Sequence, residues 1–257
     1  MIPKVIHYCW FGPNAMPKNV LQCIDSWHRH MPQWDYRLWN ESTFAVDSVA
    51  YTREAYAAGK YAFVSDYVRL FALKNEGGVY MDTDVVVLKS IEGLLHLGAF
   101  TGYEGSKHLP PVTGIMASEA NGEWVTEQLE AYRDAHFLLP DGSYDITTNT
   151  QRISRIMQAN GFVSDGRQRK YKDLTVFPVD YFSPRQTTGE YLLTDNTYCD
   201  HLAVGSWCDS SKHRSMETLR RIIGNAGMAR LIKFKRFLCR ERCHAAPLST
   251  SYHTPQN

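Results

Sequence analysis

The sequence predicts an α/β fold. Short β-prone apolar runs alternate along it with segments whose apolar residues recur every three or four positions. Gly-containing turns separate the two kinds of segment. The 257 residues, 44% hydrophobic and 21% charged, suit one large domain or one domain with a small appendage and exclude a wholly disordered chain.

Val5–Trp10 alternates and reads as an opening strand, and Phe11-Gly12-Pro13-Asn14 as a turn. Pro17–His30 places Val20, Leu21, Ile24 and Trp27 on one helical stripe. Tyr36–Trp39 reads as a second strand. Ala62–Glu76 is the clearest helix, stopped by Gly77-Gly78. Val79–Met81 is a short apolar strand closed by Asp82-Thr83-Asp84, and Val85–Leu88 resumes strand character. Phe100–Tyr103, Ile115–Ala117 and Thr175–Phe177 read as strands, and Gly122–Asp134 and Gln151–Asn160 as helices. Ser215–Ile223 and Met228–Arg242 read as two C-terminal helices. The uncharged Ser/Thr/Pro-containing end is expected to fray.

The net charge of +1 conceals an asymmetry. Between Lys212 and Cys243 ten Lys/Arg face only Glu217 and Glu241, giving +8, while the remaining 18 Lys/Arg and 25 Asp/Glu give −7. An acidic body thus carries a basic arm. The expected organisation is a catalytic domain over 1–211, a basic helical extension over 212–243 and a disordered tail over 244–257. No apolar run reaches the roughly 18 residues of a membrane span. The opening residues also lack the plan of a secretory signal, so a cytoplasmic location is expected. Six scattered cysteines lack a disulfide-scaffold spacing, so reduced thiols are expected. Cys239, Cys243 and His244 alone make a weak zinc signal.

The strongest chemical signal is Asp82-Thr83-Asp84. In extended backbone, residues two apart project to one side. Two converging carboxylates are costly without a cation. Oxygen ligands suit Mg²⁺ or Mn²⁺, which complete their shells with phosphate and water. In open α/β sheets, ligands sit beyond the carboxyl ends of strands. The alternative is a pair of solvated turn carboxylates. On the preceding helix Ser65, Asp66 and Arg69 share a face ringed by apolar residues. A surface ion pair would explain Asp66 and Arg69; a half-enclosed pair near a cation would instead suit a hydroxyl-rich ligand.

Ser65-Asp66-Tyr67-Val68-Arg69, followed by Lys74-Asn75-Glu76-Gly77-Gly78-Val79-Tyr80-Met81-Asp82-Thr83-Asp84, resembles the core of glycosyltransferase family 32. The same pattern is similar to the glucosyltransferase domains of large clostridial toxins. Ile2–Gly12 and His201-Leu202-Ala203-Val204-Gly205-Ser206-Trp207 resemble the first strand and the closing motif of that group. The resemblance implies a GT-A-like, nucleotide-sugar-binding α/β fold and a retaining transfer of a hexose (galactose, glucose or an N-acetyl form) from a UDP-sugar. It places Trp10 against the base, with core packing as the alternative. It places Asp66 and Arg69 on the donor sugar. It puts Asp82 at the position facing the ribose and water-mediated metal contacts, and Asp84 at that of the direct metal ligand. Tyr80 is structural or lines the donor pocket. His201 stands where a third metal ligand is brought in, with a structural histidine as the alternative; an imidazole favours Mn²⁺ over Mg²⁺. Ser206 and Trp207 match a group on the diphosphate. A histidine doublet common in this motif is here Asp200-His201, so Asp200 could share the ligand role. Asn149 is a weaker sugar-contact candidate whose expected job is N-capping, and Glu104 a weaker acceptor-side candidate.

The expected acceptor is a glycan, lipid-linked, in bacterial surface polysaccharide synthesis. Met228–Cys243 carries six cations among Leu231, Ile232, Phe234, Phe237 and Leu238. It could lie on an anionic membrane surface at the inner face of the plasma membrane, or pack on the body with a solvated basic face. The acidic body and the lack of motifs argue against nucleic acid. Two other functions remain open. Val79–Val86 resembles the nucleophile strand of haloacid-dehalogenase-like phosphatases, but no Gly-Asp-x-x-x-Asp pair follows. A non-catalytic, membrane-associated glycan-binding module is the other.

Overall fold

The computed structural model describes residues 1–105, 110–112, 114–185 and 191–202. Ser206, Trp207, the basic extension and the tail lie outside the described residues.

The α/β expectation is met. β1 (Val5–Cys9) leads to α1 (Lys18–His30) and β2 (Asp35–Trp39), then to α2 (Ala50–Ala57) and α3 (Tyr61–Glu76). β3 (Gly78–Met81), β4 (Val85–Val87), β5 (Ala99–Gly102) and β6 (Ile115–Ser118) follow. Then come α4 (Glu123–Glu130), α5 (Asn149–Ala159), β7 (Arg169–Tyr171), β8 (Leu174–Phe177), the single-turn α6 (Val179–Phe182) and β9 (Cys199–His201). Seven strands form one mixed sheet in the order β2-β1-β3-β6-β5-β8-β7, and β4 pairs with β9 in a separate ribbon.

β3, β6, β5 and β8 are buried at every position because both faces of the sheet are covered. β3 is buried throughout. Its Tyr80 joins one core with Val64, Val68, Leu73, Met116 and Trp124, beneath α3 and α4. Val79 and Met81 join the other with Ile6, Trp27, Ile115 and Phe182. α1 fastens the small ribbon to that second core: the Trp27 indole donates to Val85 O at 2.7 Å, and Val87 N donates to Ser26 Oγ at 2.9 Å.

α3 ends as its glycines require. Gly77 has φ +66° and its N–H closes the last turn on Leu73 O. Gly78 has φ +103°, and a Cβ there would lie 2.5 Å from Val5 Cγ1 and 2.8 Å from Val5 O. That glycine pair lets the chain reverse from helix into β3, which runs parallel to β1. The C-terminal ends of β1 and β3 therefore open on the same edge of the sheet, the edge that carries Trp10 and Asp82.

The predicted element boundaries hold to within a few residues, with two corrections. Gly122–Asp134 is helical only over Glu123–Glu130 and continues as turns. Asp82-Thr83-Asp84 is a turn between two sheets and not extended strand: Val85 N donates to Asp82 O at 3.0 Å. Among the described residues Cys9, Cys23 and Cys199 are free and buried, and no helix is long and apolar enough to cross a membrane.

Candidate functional site

Four separate stretches of chain converge on the sheet edge at Asp82. α3 contributes Asp66 and Arg69 from its sheet-facing side. The helix buries Val64, Val68, Leu70, Ala72 and Leu73, and this drags the polar pair inward with them. Asp66 is 8% exposed. Arg69 Nη2 lies 3.1 Å from Asp66 Oδ1 and 3.2 Å from Asp82 Oδ1, so one guanidinium bridges both carboxylates. Its central carbon sits 4.6 Å from the centre of the Tyr80 ring. The Tyr80 hydroxyl donates to Asp82 Oδ1 at 3.0 Å. Tyr80 thus orients the first aspartate of the motif.

The Asp-Thr-Asp turn brings its carboxylates together by anchoring each end to a different strand system. Asp82 N donates to Gly114 O at 2.7 Å, and Leu202 N donates to Asp84 O at 3.0 Å. β9 runs antiparallel to β4 with His201 opposite Val85. The His201 ring consequently reaches the turn, with Nε2 3.3 Å from Asp84 Oδ1 and 3.9 Å from Asp82 Oδ2. One ligand atom from each of Asp82, Asp84 and His201 can be chosen so that all lie within 4.8 Å of one another. Glu104, just after β5, places Oε1 3.0 Å from His201 Nδ1 but off the line of an aligned hydrogen bond.

These residues fit a divalent cation. Asp66, Asp82, Asp84 and Glu104 are set against Arg69 and His201, so the cluster is net negative whether His201 is charged or neutral. Burial pushes the Asp82 carboxyl above its ordinary range, against the pull of Arg69 and His201. Burial likewise raises Asp66 against Arg69 and the Asn149 N–H. For His201, burial opposes the charge, but Asp84 and Glu104 outweigh it and hold the imidazole well above its usual range. A cation at this point would take over the role of that proton. Gly114 leaves space for it: a Cβ there would lie 3.0 Å from His201 Nε2 and 3.1 Å from Asp82 Oδ2. Carboxylate oxygens and an imidazole nitrogen suit Mn²⁺ better than Mg²⁺.

Two expectations are corrected. Asn149 is not the N-cap of α5. Thr148 is, in a reciprocal capping box with Gln151. Asn149 is the first helical residue and braces Asp66: its N–H donates to Asp66 Oδ2 at 2.9 Å and its Nδ2 to Asp66 O at 2.8 Å. Asp200 does not share the ligand role. Strand alternation turns it away from His201, where it is buried and accepts from Arg185 Nε at 2.9 Å and Tyr191 Oη at 2.8 Å. Glu104 turns toward His201. Trp10 sits on the same sheet edge, half-buried, and its indole N–H donates to Asn14 O at 2.6 Å. Gly114, Tyr51, Tyr132 and Arg152 carried no motif and were missed by sequence reading.

Comparison with known proteins agrees with the motifs. Residues 17–101 match the family described as "Glycosyltransferase sugar-binding region containing DXD motif". Inositol phosphoceramide mannosyltransferase 3 of Schizosaccharomyces pombe is 31% identical over 107 residues, which is 38% of this chain and 29% of that protein. Subversion of eukaryotic traffic protein A of Legionella pneumophila is 26% identical over 113 residues, 33% of this chain and 17% of that protein. The chain therefore spans less than a third of either relative. Among solved structures, the PaToxG glycosyltransferase is similar with a TM-score of 0.45 and 20% identity, over 62% of this chain and 72% of that one.

Proposed function

We propose that this chain is a metal-dependent glycosyltransferase of GT-A-like plan, moving a hexose from a UDP-sugar to a glycan acceptor with retention at the anomeric carbon. The convergence of Asp82, Asp84 and His201 beside the buried Asp66–Arg69 pair carries this reading. The family match over residues 17–101 supports the reaction class.

Asp82, Asp84 and His201 would hold Mn²⁺ or Mg²⁺, which supplies Lewis-acid stabilisation to the leaving diphosphate. The chain's own groups do the rest. The Asp66 carboxylate accepts from sugar hydroxyls and the Arg69 guanidinium donates to them, which fixes the anomeric carbon relative to the acceptor. Arg69 at the same time holds Asp82, so sugar binding and the cation site share one side chain. Trp10 offers a ring to the base. Ser206 and Trp207, outside the described residues, are the sequence's candidates for hydrogen bonds to the diphosphate. The acceptor hydroxyl attacks the face the leaving group departs from, and its proton passes to that phosphate. This account needs no dedicated base.

The acceptor is read as a lipid-linked glycan of bacterial surface polysaccharide. The protein would act as a cytoplasmic enzyme, peripheral on the inner membrane face through 228–243, with no nucleic-acid partner. The name of the mannosyltransferase relative supports a lipid-bearing acceptor and adds mannose to the donors to be tried.

The test is nucleotide release from UDP-glucose, UDP-galactose, their N-acetyl forms and GDP-mannose, with Mn²⁺ or with EDTA. Metal-dependent release from one donor, lost in Asp84→Asn, is the expected result. Release that is indifferent to EDTA and to Asp84→Asn overturns the reading.

A further inference from the structure

We propose that Arg152 is a positioning residue that locks the start of α5 so that Asn149 holds Asp66 in its donor-facing orientation. The inference rests on the reading of Asp66 as a sugar contact. It adds Tyr132, Asp145, Asn149 and Arg152, which lie outside the matched 17–101 region, and Tyr51, which lies within it.

Arg152 lies in the first turn of α5. Its Nη2 is 2.7 Å from Asp145 Oδ2, and its backbone N–H donates to Thr148 O at 2.9 Å. Asp145 also accepts from Thr147 N at 3.0 Å through its other oxygen. One ion pair therefore ties the backbone entering the helix to the helix itself. The guanidinium is caged by aromatic rings. Its central carbon is 4.7 Å from the centre of the Tyr132 ring and 5.8 Å from that of Tyr51. Those two rings meet edge to face at 4.9 Å. A planar, delocalised cation suits such a cage, and an ammonium does not replace it.

Two hydrogen bonds tie this device to Asp66, both from Asn149, and the Arg152 charge itself acts on the Asp66 carboxyl. They originate three residues before Arg152, so any unwinding or rotation of the first turn of α5 moves both together. Arg152 Nε, the Tyr51 and Tyr132 hydroxyls and Asn149 Oδ1 are buried without hydrogen-bond partners. The fold carries that polar burial next to Asp66 instead of filling the space with apolar side chains. Replacing such buried polar groups by well-packed apolar side chains is often neutral or stabilising, so their retention beside Asp66 points to a role in orientation. Tyr51 comes from α2, Tyr132 from the turn after α4, and Arg152 from α5, so three elements are registered on Asp66 through one guanidinium.

The test compares wild type with Arg152→Met and Arg152→Lys. The ligand-free readout is hydrogen exchange at the Asn149 amide. It is expected to speed up by about 10-fold or more in Arg152→Met while the amides of β3 keep their rates. Arg152→Lys, which keeps the charge and loses the plane, is expected to fall between. The second readout is affinity in the presence of Mn²⁺ for each UDP-sugar and GDP-mannose against its free diphosphate. Arg152→Met should weaken the sugar nucleotide that wild type prefers by about 10-fold and the free diphosphate by less than about 2-fold. An unchanged Asn149 amide overturns the proposal whatever the ligands do, as does equal weakening of sugar nucleotide and free diphosphate. Faster Asn149 exchange, in a protein whose wild type never prefers a sugar nucleotide to its diphosphate, would uphold the positioning of Asp66 and sink the glycosyltransferase reading instead.

Discussion

His201 Nε2 stands 3.3 Å from Asp84 Oδ1 because a three-residue strand, Cys199–His201, pairs antiparallel with the strand that follows Asp84. No local sequence relation joins the two residues; the β4–β9 register alone does. Removing the imidazole should therefore weaken the cation site without disturbing the main sheet. His201→Ala is expected to lose at least about 10-fold in Mn²⁺ affinity, read by the electron paramagnetic signal of free Mn²⁺. Its urea midpoint should stay close to that of wild type. Undiminished Mn²⁺ binding would remove His201 from the ligand set.

Gly114 tests the same site from the opposite wall. A methyl group there would approach both His201 Nε2 and Asp82 Oδ2 to about 3 Å. Gly114→Ala is expected to lower Mn²⁺ affinity by about 10-fold or more while leaving cooperative unfolding intact. A variant that binds Mn²⁺ as wild type does would show that the cation does not sit between these side chains.

Arg69 holds two carboxylates at once, and its own side chain is 11% exposed. Arg69→Met would leave the buried Asp66 and the half-buried Asp82 without their shared partner. Breaking such a pair costs on the order of 3–5 kcal/mol, and urea denaturation at neutral pH should register most of it. A loss below about 1 kcal/mol would mean that the pair is solvated in the working protein.

His7 sets a pH dependence remote from the cation site. Its Nε2 lies 2.8 Å from Gly77 O and its Nδ1 3.1 Å from the donating Trp39 indole nitrogen. Both contacts are satisfied only by the neutral ring protonated on Nε2, because a second ring proton would face the indole N–H. Burial lowers the pKa below its ordinary 6.5, against the pull of the Gly77 carbonyl. The folded state then binds fewer protons than the unfolded one, so this contribution is full above about pH 6.5 and is lost as pH falls. Wild type should lose stability between pH 7.5 and 5.5 by more than His7→Gln does, measured by urea midpoints. Parallel pH profiles would show that His7 does not titrate in this range.

Much of the site was legible in the sequence because it lies in one stretch, from Ser65 to Asp84, with helix, glycine stop, apolar strand and acidic turn in order. The inward pull on Asp66 and Arg69 could be read from the apolar residues around them. The aspartates converge through a turn and not through strand alternation, since Val85 leaves the main sheet for β4. The partners of the site were harder to read. β9 is three residues long, and only its pairing with β4 makes it a strand. α2 begins at Ala50, has no side-chain cap from Val49 and buries few residues, so it left little periodic signal. β7 is an edge strand whose Arg169 and Lys170 are exposed. Asn149 lies one position past the cap, where local rules predict no side-chain role, and its contact is with a residue 83 positions away.

The acidic turn joins two sheets. Asp82 is pinned to Gly114, beside the seven-stranded sheet, and Asp84 to Leu202, beside the two-stranded ribbon. The gap between the carboxylates is therefore a measure of how the ribbon sits on the sheet. The Trp27 and Ser26 contacts of α1 to β4 govern that seating. Substitutions on α1 would then retune the jaw width of the cation site. The size of ion it accepts would be under the control of a helix that packs in the other core from α3.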